Sequence, residues 1–171
     1  MKWLSLGLFP LLLLSSCVRQ GESGPRPELA GVYRSARAIE GALGVGVTYQ
    51  DFSTLVREFS KELLLARDSA RYNLAPKLIS STLDKYAEVL AMYKDSEQVW
   101  SLEVRERKYD DALPVLAAKY GVPQAVYESK NSYAGTTKEV NFEMIRQAIW
   151  EQTSKLQEQQ IAIVYGFTPK N

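Results

Sequence analysis

Residues 48–70 read TYQDFSTLVREFSKELLLARDSA, and this stretch decides the fold class. Its apolar side chains recur every three or four residues, which is the period of one face of an α-helix. Thr48 and Asp51 have the spacing of a capping box, so the helix is predicted to begin just after Thr48. The face consists of Phe52, Leu55, Val56, Phe59, Leu63, Ala66 and Ala70.

The same period continues on both sides of this helix. It predicts helices at about 29–42, 49–72, 76–109 and 138–164, the last one opened by a second capping signature, Thr136-x-x-Glu139. Residues 110–135 are punctuated by proline and glycine, and only 113–120 reads there as a short helix. The sequence therefore predicts an all-α fold: an antiparallel up-down bundle of three long helices plus a short N-terminal helix.

Two positions leave the interpretation of the helices open. Glu97 falls on the apolar face of the third helix, so either it is packed and hydrogen-bonded or the face drifts towards Val99 and Leu102. Trp150 lies one residue off the face of the last helix, which predicts a helix–helix edge or the surface. Several tyrosines lie on apolar faces, which favours packing in the core over a cage around a ligand.

The N-terminal segment carries a different pattern. Lys2 precedes an apolar run over residues 3–14, which is too short to span a bilayer as a helix, since about 20 residues are needed. Leu14-Ser15-Ser16-Cys17 follows, and Cys17 is the only cysteine in the chain. This order resembles the lipobox of bacterial lipoproteins. An ordinary secretory signal that happens to contain a cysteine is the alternative.

The lipoprotein resemblance implies a domain organisation and a location. Cleavage would fall between Ser16 and Cys17, and Cys17 would carry the lipid that anchors the chain to a membrane of the cell envelope. Val18 at the second mature position would permit export to the outer membrane of a Gram-negative host. Residues 1–16 are then the signal peptide, 17–27 the lipidated cysteine and a flexible tether, and 28–171 a single helical domain.

Composition restricts the chemistry available to the domain. The formal charge is +1 and falls to zero when Lys2 is removed, so no basic excess favours nucleic acid. Histidine is absent, which excludes histidine-dependent nucleophiles and the usual zinc and haem ligands. We predict no cofactor and no metal. Asp110-Asp111 with Glu103 and Glu106 is a weak calcium candidate, because it lacks the ligand alternation of an EF-hand.

The remaining motifs do not identify an activity. Gly41, Gly44 and Gly46 lack the spacing and the following lysine of a P-loop, so they are predicted to form a turn between helices. Residues 46–52, GVTYQDF, resemble a turn found in uncharacterised bacterial envelope proteins, which implies no function.

Two functional hypotheses remain, and the sequence favours the first. It is a non-enzymatic lipoprotein that binds another protein or supports an envelope assembly. The second is an envelope hydrolase or small-ligand-binding lipoprotein that uses carboxylates and tyrosines in a cleft formed by residues 110–135. A deep cleft with converging polar groups would favour the second, whereas exposed apolar surface would favour the first.

Overall fold

The structure, a computed structural model, describes residues 24–106, 109–131 and 135–166. The predicted signal peptide, Cys17 and most of the predicted tether lie outside these residues. The described chain is mostly helical, as predicted. Its elements are α1 (Pro27–Val45), α2 (Tyr49–Tyr72), α3 (Lys77–Val104), α4 (Ala112–Lys119), a short 3-10 turn (Pro123–Ala125), β1 (Val126–Asn131), β2 (Gly135–Val140) and α5 (Phe142–Val164).

The helix boundaries follow from local sequence signals. The Thr48 side chain accepts a hydrogen bond from the backbone N–H of Asp51 at 3.2 Å, so the predicted cap of α2 is confirmed. α1 has 19 residues and is longer than the predicted 29–42, because Gly41 and Gly44 are tolerated inside it. It ends at Gly46, whose φ of +88° suits glycine. α3 ends at Val104 rather than at 109.

Side-chain contacts show that α2 and α3 run in opposite directions. Side-chain pairs join the start of α2 to the end of α3 (Ser53 to Glu97) and the end of α2 to the start of α3 (Arg67 to Asp84). The same reversal relates α3 to α5, where Tyr93 meets Gln157 and Glu103 meets Arg146. Gly31 of α1 lies against Glu62 of α2.

These directions give the molecule two ends. At one end, which we call the tether end, the backbone N–H of Arg26 donates to the carbonyl of Val164 at 2.7 Å. The start of α1, the turn between α2 and α3, and the end of α5 all lie there. At the other end, the hairpin end, α3 gives way to α4 and the hairpin, and α5 begins.

The β-hairpin corrects the sequence prediction. Residues 138–140 were expected to open the last helix, but they belong to β2, which pairs antiparallel with β1 from Val126 opposite Val140 to Asn131 opposite Gly135. The cap of α5 is Asn141, whose side chain accepts from the N–H of Met144 at 2.9 Å. Thr136 and Glu139 therefore match a capping signature by spacing alone, within a segment whose β-branched residues favour a strand.

Two clusters of buried apolar side chains stabilise the fold. One joins α1, α2 and α3 with the end of α5, and the other joins the end of α3 with α4, the 3-10 turn and the start of α5. Trp150 packs against both clusters, and its Nε1 donates to Ser96 Oγ at 2.8 Å. The predicted helix–helix edge position of Trp150 is therefore confirmed. At Glu97 the two alternatives occur together. Glu97 accepts a hydrogen bond from Ser53, and Val99 and Leu102 are buried in the core.

The packing of the buried core can be tested at Phe52, which is fully buried. Its ring centroid lies 5.4 Å from that of Trp100 and 6.1 Å from that of Tyr93. We expect Phe52→Ala to lower the free energy of unfolding by about 3–5 kcal/mol, because it removes these contacts and leaves a cavity. Leu64→Ala is the matched control on the same helix; Leu64 is 61% exposed, and its truncation should cost less than about 0.5 kcal/mol. Chemical denaturation followed by circular dichroism measures both, and equal losses would contradict the described core.

Candidate functional site

A shallow groove of about 300 Å³ lies at the hairpin end. Most of its residues fall in 110–135, the segment for which the sequence predicts no long helix. Apolar rings and prolines form most of its walls, and one acidic and one basic side chain lie at its rim. We call it the tyrosine–proline groove. Its residues are Tyr109, Pro114, Pro123, Val126, Tyr127, Glu128 and Lys138.

α4 forms one wall of the groove and is fixed to the long helices by polar contacts. Asp95 of α3 accepts from Lys119 Nζ at 2.5 Å and from Tyr120 Oη at 2.7 Å. Gln152 of α5 donates to the carbonyl of Tyr120 at 3.2 Å. Burial, together with the hydrogen bond to Asp95, raises the pKa of Tyr120, so this hydroxyl stays protonated and continues to donate.

The hairpin forms the other wall and extends away from the helices. Its base is held by the backbone N–H of Asn141, which donates to the carbonyl of the buried Ala125 at 2.7 Å. Val126 and Val140 at the base are half-buried, whereas residues 136–139 are all exposed. Since successive strand residues point to opposite faces, exposure of all four means that neither face of this part of β2 is covered by the helices.

Tyr109, Tyr127 and Lys138 of the groove form side-chain hydrogen bonds. Tyr127 Oη donates to Glu139 at 3.2 Å, and this bond and the carboxylate charge raise the pKa of Tyr127. Lys138 Nζ donates to Tyr109 Oη at 3.2 Å and lies 4.6 Å from the centre of that ring, and the hydrogen bond raises the pKa of Lys138. At neutral pH the groove therefore presents a neutral Tyr127 and a charged Lys138.

Beneath this end of the molecule, Arg146 fixes α5 to α3. It is 6% exposed, forms ion pairs with Glu103 and Glu143, and lies over Trp100, with its guanidinium carbon 4.8 Å from the ring centre. Burial lowers the pKa of Arg146, although an arginine remains charged near neutral pH. The arrangement is a buried clamp between two helices and leaves little of the guanidinium accessible to a ligand.

The carboxylates predicted as a weak calcium candidate are not brought together. Glu103 is engaged by Arg146, and Asp110 accepts from the backbone N–H of Ala112 at 3.0 Å at the start of α4. Asp111 and Glu106 are exposed. Across the described residues, no three histidine, cysteine, aspartate or glutamate side chains form a group that could hold a metal ion.

A second polar cluster, which sequence analysis did not indicate, lies where α1 meets α3 and α5. Glu40 pairs with Arg37, and burial raises the pKa of the Glu40 carboxyl. Within the described part of the chain, neither its Oε1 nor the hydroxyl of the buried Tyr86 has a hydrogen-bond partner. Burial also raises the pKa of Tyr86, so this hydroxyl stays protonated at neutral pH and cannot act as a base.

The sequence placed its second functional hypothesis in residues 110–135, and the groove does lie largely there. The hairpin that forms one wall was missed. The signal that could have indicated it is the presence of strand-favouring residues in two nearby segments, Val126-Tyr127 in one and Thr136-Thr137 with Val140 in the other. Cys17, the predicted lipidation site, lies outside the described residues.

Among the described residues, no helix has the length and apolar character needed to cross a bilayer. Comparison of the chain with protein-family models, with curated proteins and with solved structures found no match.

The Arg146 clamp predicts an unequal response to the loss of two arginines. We expect Arg146→Ala to reduce the free energy of unfolding by about 2 kcal/mol or more, because it removes buried packing, a cation–π contact and two ion pairs. Arg67→Ala removes an exposed ion pair with Asp84 and should cost about 0–1 kcal/mol. Denaturation midpoints of the two variants measure the difference. A loss at Arg146 no larger than at Arg67 would show that the clamp does not stabilise the fold.

Proposed function

We propose that this chain is a bacterial envelope lipoprotein whose helical domain is a non-enzymatic protein-binding module. In this proposal the signal peptide 1–16 is removed and Cys17 carries the lipid. Residues 17–27 are the tether, and 28–171 form one domain outside the bilayer. In a Gram-negative host, Val18 would direct the chain to the outer membrane.

The anchoring part of the proposal is supported by residue order. The segment has the residue order of a lipoprotein signal: a positive residue, an apolar run, then Leu14, two serines and a lone cysteine. The described domain begins at the tether end, so a lipid on Cys17 and the groove would lie at opposite ends of the helices. We further propose that the helices form an antiparallel up-down bundle, in which α1 has the place of the predicted short helix.

The binding part is carried by one observation, the tyrosine–proline groove with exposed apolar residues around it. Val115, which follows the groove residue Pro114 on α4, is 67% exposed, and Tyr127 of the groove is 48% exposed. Tyrosine is enriched where proteins bind one another, since its ring is large and rigid and its hydroxyl can still bond. Grooves lined with aromatic rings and prolines suit an extended, proline-rich or apolar peptide segment.

The hairpin adds a second means of recognition. Each of its two strands pairs on one side only within the described sheet. An unpaired strand edge can accept an extended segment of a partner through backbone hydrogen bonds. Because the hairpin extends away from the helices, such a partner could contact the strand edge and the groove together.

The alternative is an envelope hydrolase or small-ligand-binding lipoprotein that uses carboxylates and tyrosines. The cluster around Glu40 is the observation that favours it, because a half-buried carboxyl of raised pKa lies near tyrosines. Glu40→Gln tests it directly. A variant that alters the binding of a small envelope ligand while leaving the fold unchanged would favour the alternative over the protein-binding proposal.

The anchor is tested at Cys17. We expect Cys17→Ser to abolish acyl labelling and to leave the protein unprocessed or outside the detergent-extracted membrane fraction, because the site of lipid attachment is gone. Ser15→Ala is the matched control, since alanine is also small and should preserve processing and labelling. Metabolic labelling with a fatty acid and the intact mass of the mature chain provide the readout. Acyl labelling that persists in Cys17→Ser would contradict the proposal.

The groove is tested by site-specific photocrosslinking in the native host. A photoreactive residue at position 115 or 127 should capture the same envelope protein, whereas one at position 64, equally exposed on the middle of α2, should not. With the captured partner purified, Tyr127→Ala should weaken its Kd about 30-fold, which corresponds to about 2 kcal/mol for a central aromatic contact. Capture at position 64 alone, or an unchanged Kd, would exclude the groove as the binding surface.

A further inference from the structure

Large apolar side chains are exposed at the tether end, on the turn between α2 and α3. Tyr72 and Leu74 are each 89% exposed, and Leu78 on the first turn of α3 is 39% exposed. Exposed apolar residues scattered singly need no explanation, but several within one short turn form a patch that can contact another surface. We call residues 71–78 the tip.

Leu74 is unusual in both backbone and side chain. Its φ is +48°, and the N–H of the next residue, Ala75, donates to the carbonyl of Ala70 at 2.8 Å. This bond and the left-handed residue define a helix-ending turn in which glycine or asparagine is common. A leucine here adopts a backbone conformation that β-carbons disfavour, and the protein gains almost no burial from its side chain.

The tip also carries charge of one sign. Arg71 and Lys77 flank the apolar residues, both are exposed, and no acidic residue occurs between positions 71 and 78. Apolar and aromatic side chains flanked by basic ones are the composition of segments that lie in the headgroup region of a bilayer. The basic side chains suit anionic lipid phosphates in particular.

The start of the described chain lies beside the tip. Pro27 and Glu28 line a shallow groove together with Leu65 and Ser69 of α2, and Tyr72 is about one helical turn beyond Ser69. Between Cys17 and Gly24 the chain spans at most about 25 Å, even when fully extended. A lipid on Cys17 would therefore hold a bilayer within reach of the tip.

We infer that the tip docks onto an anionic lipid surface. Tyr72, Leu74 and Leu78 would enter the boundary between headgroups and acyl chains, while Arg71 and Lys77 would contact lipid phosphates. The lipid anchor would supply proximity, and the tip would fix which end of the domain faces the bilayer. This inference rests on the proposed lipidation of Cys17, so its test must separate the two.

The test uses the full-length lipidated chain with one added cysteine that carries an environment-sensitive fluorophore. Asn73→Cys places the probe within the tip, and Val45→Cys places it at the hairpin end on a residue that is 87% exposed. Each protein is reconstituted into phosphatidylglycerol–phosphatidylcholine vesicles whose acyl chains are partly brominated. We expect several-fold stronger quenching at position 73 than at position 45. The mass of each sample reports whether Cys17 is acylated.

A second set of variants tests which side chains make the contact. Tyr72→Ser with Leu74→Asn should reduce quenching of the position 73 probe to the level at position 45. The melting temperature should not fall, because asparagine adopts the left-handed conformation more readily than leucine. Arg71→Gln with Lys77→Gln should remove the preference for phosphatidylglycerol over phosphatidylcholine vesicles.

The outcomes distinguish the two proposals. Acylated protein with equal quenching at positions 73 and 45 overturns the docking inference and leaves the anchor intact. Absence of acyl chains on Cys17 overturns the anchor and the inference with it. If the fluorescence of the position 73 probe changes with the number of protein molecules per vesicle and not with the brominated lipid, a second copy covers the tip. That result also overturns the inference.

Discussion

The contact among Phe52, Trp100 and Trp150 is the interaction on which the arrangement of the helices depends. The centroid of the Phe52 ring lies 5.4 Å from that of Trp100, which in turn lies 6.1 Å from that of Trp150. These three rings come from α2, α3 and α5, and Trp150 also contacts the second buried cluster. Aromatic pairs at such distances add to the stabilisation from burial alone. If α5 moved away from α3, both clusters would lose their shared wall, and α4 with the hairpin would lose its support.

Polar contacts then determine how the helices align along their length. Apolar faces alone permit several alignments of two packed helices, because burial is nearly independent of small shifts. The bonds from Trp150 to Ser96 and from Gln157 to Tyr93 each require one alignment of α3 and α5. A buried polar group left without a hydrogen-bond partner costs more stability than a formed hydrogen bond adds on balance. These pairs therefore select a single arrangement that apolar packing leaves open.

The parts of the fold that the sequence predicted are those governed by local periodicity. The buried faces of α1 and α2 follow the three-and-four spacing closely, and Thr48 caps α2 as its sequence implies. In α5, apolar spacing cannot identify the buried Gln157, because its burial depends on the hydrogen bond from its amide to Tyr93 across the interface. The hairpin was missed for a similar reason, since Thr136 satisfies a capping pattern and strand propensity at once, and only pairing with β1 decides between them.

The tyrosine–proline groove could be anticipated only as a region, because its walls come from elements distant in sequence. The hairpin register places Lys138 opposite Glu128, and Tyr109, in the segment that precedes α4, accepts a hydrogen bond from Lys138. The prediction at Cys17, in contrast, depends on residue order alone and stays a prediction. The two features would lie far apart, since α3 with 28 residues is about 42 Å long. A lipid on Cys17 with the tip against the bilayer would therefore hold the groove roughly that distance from the membrane surface, where a partner could reach it without contacting lipid.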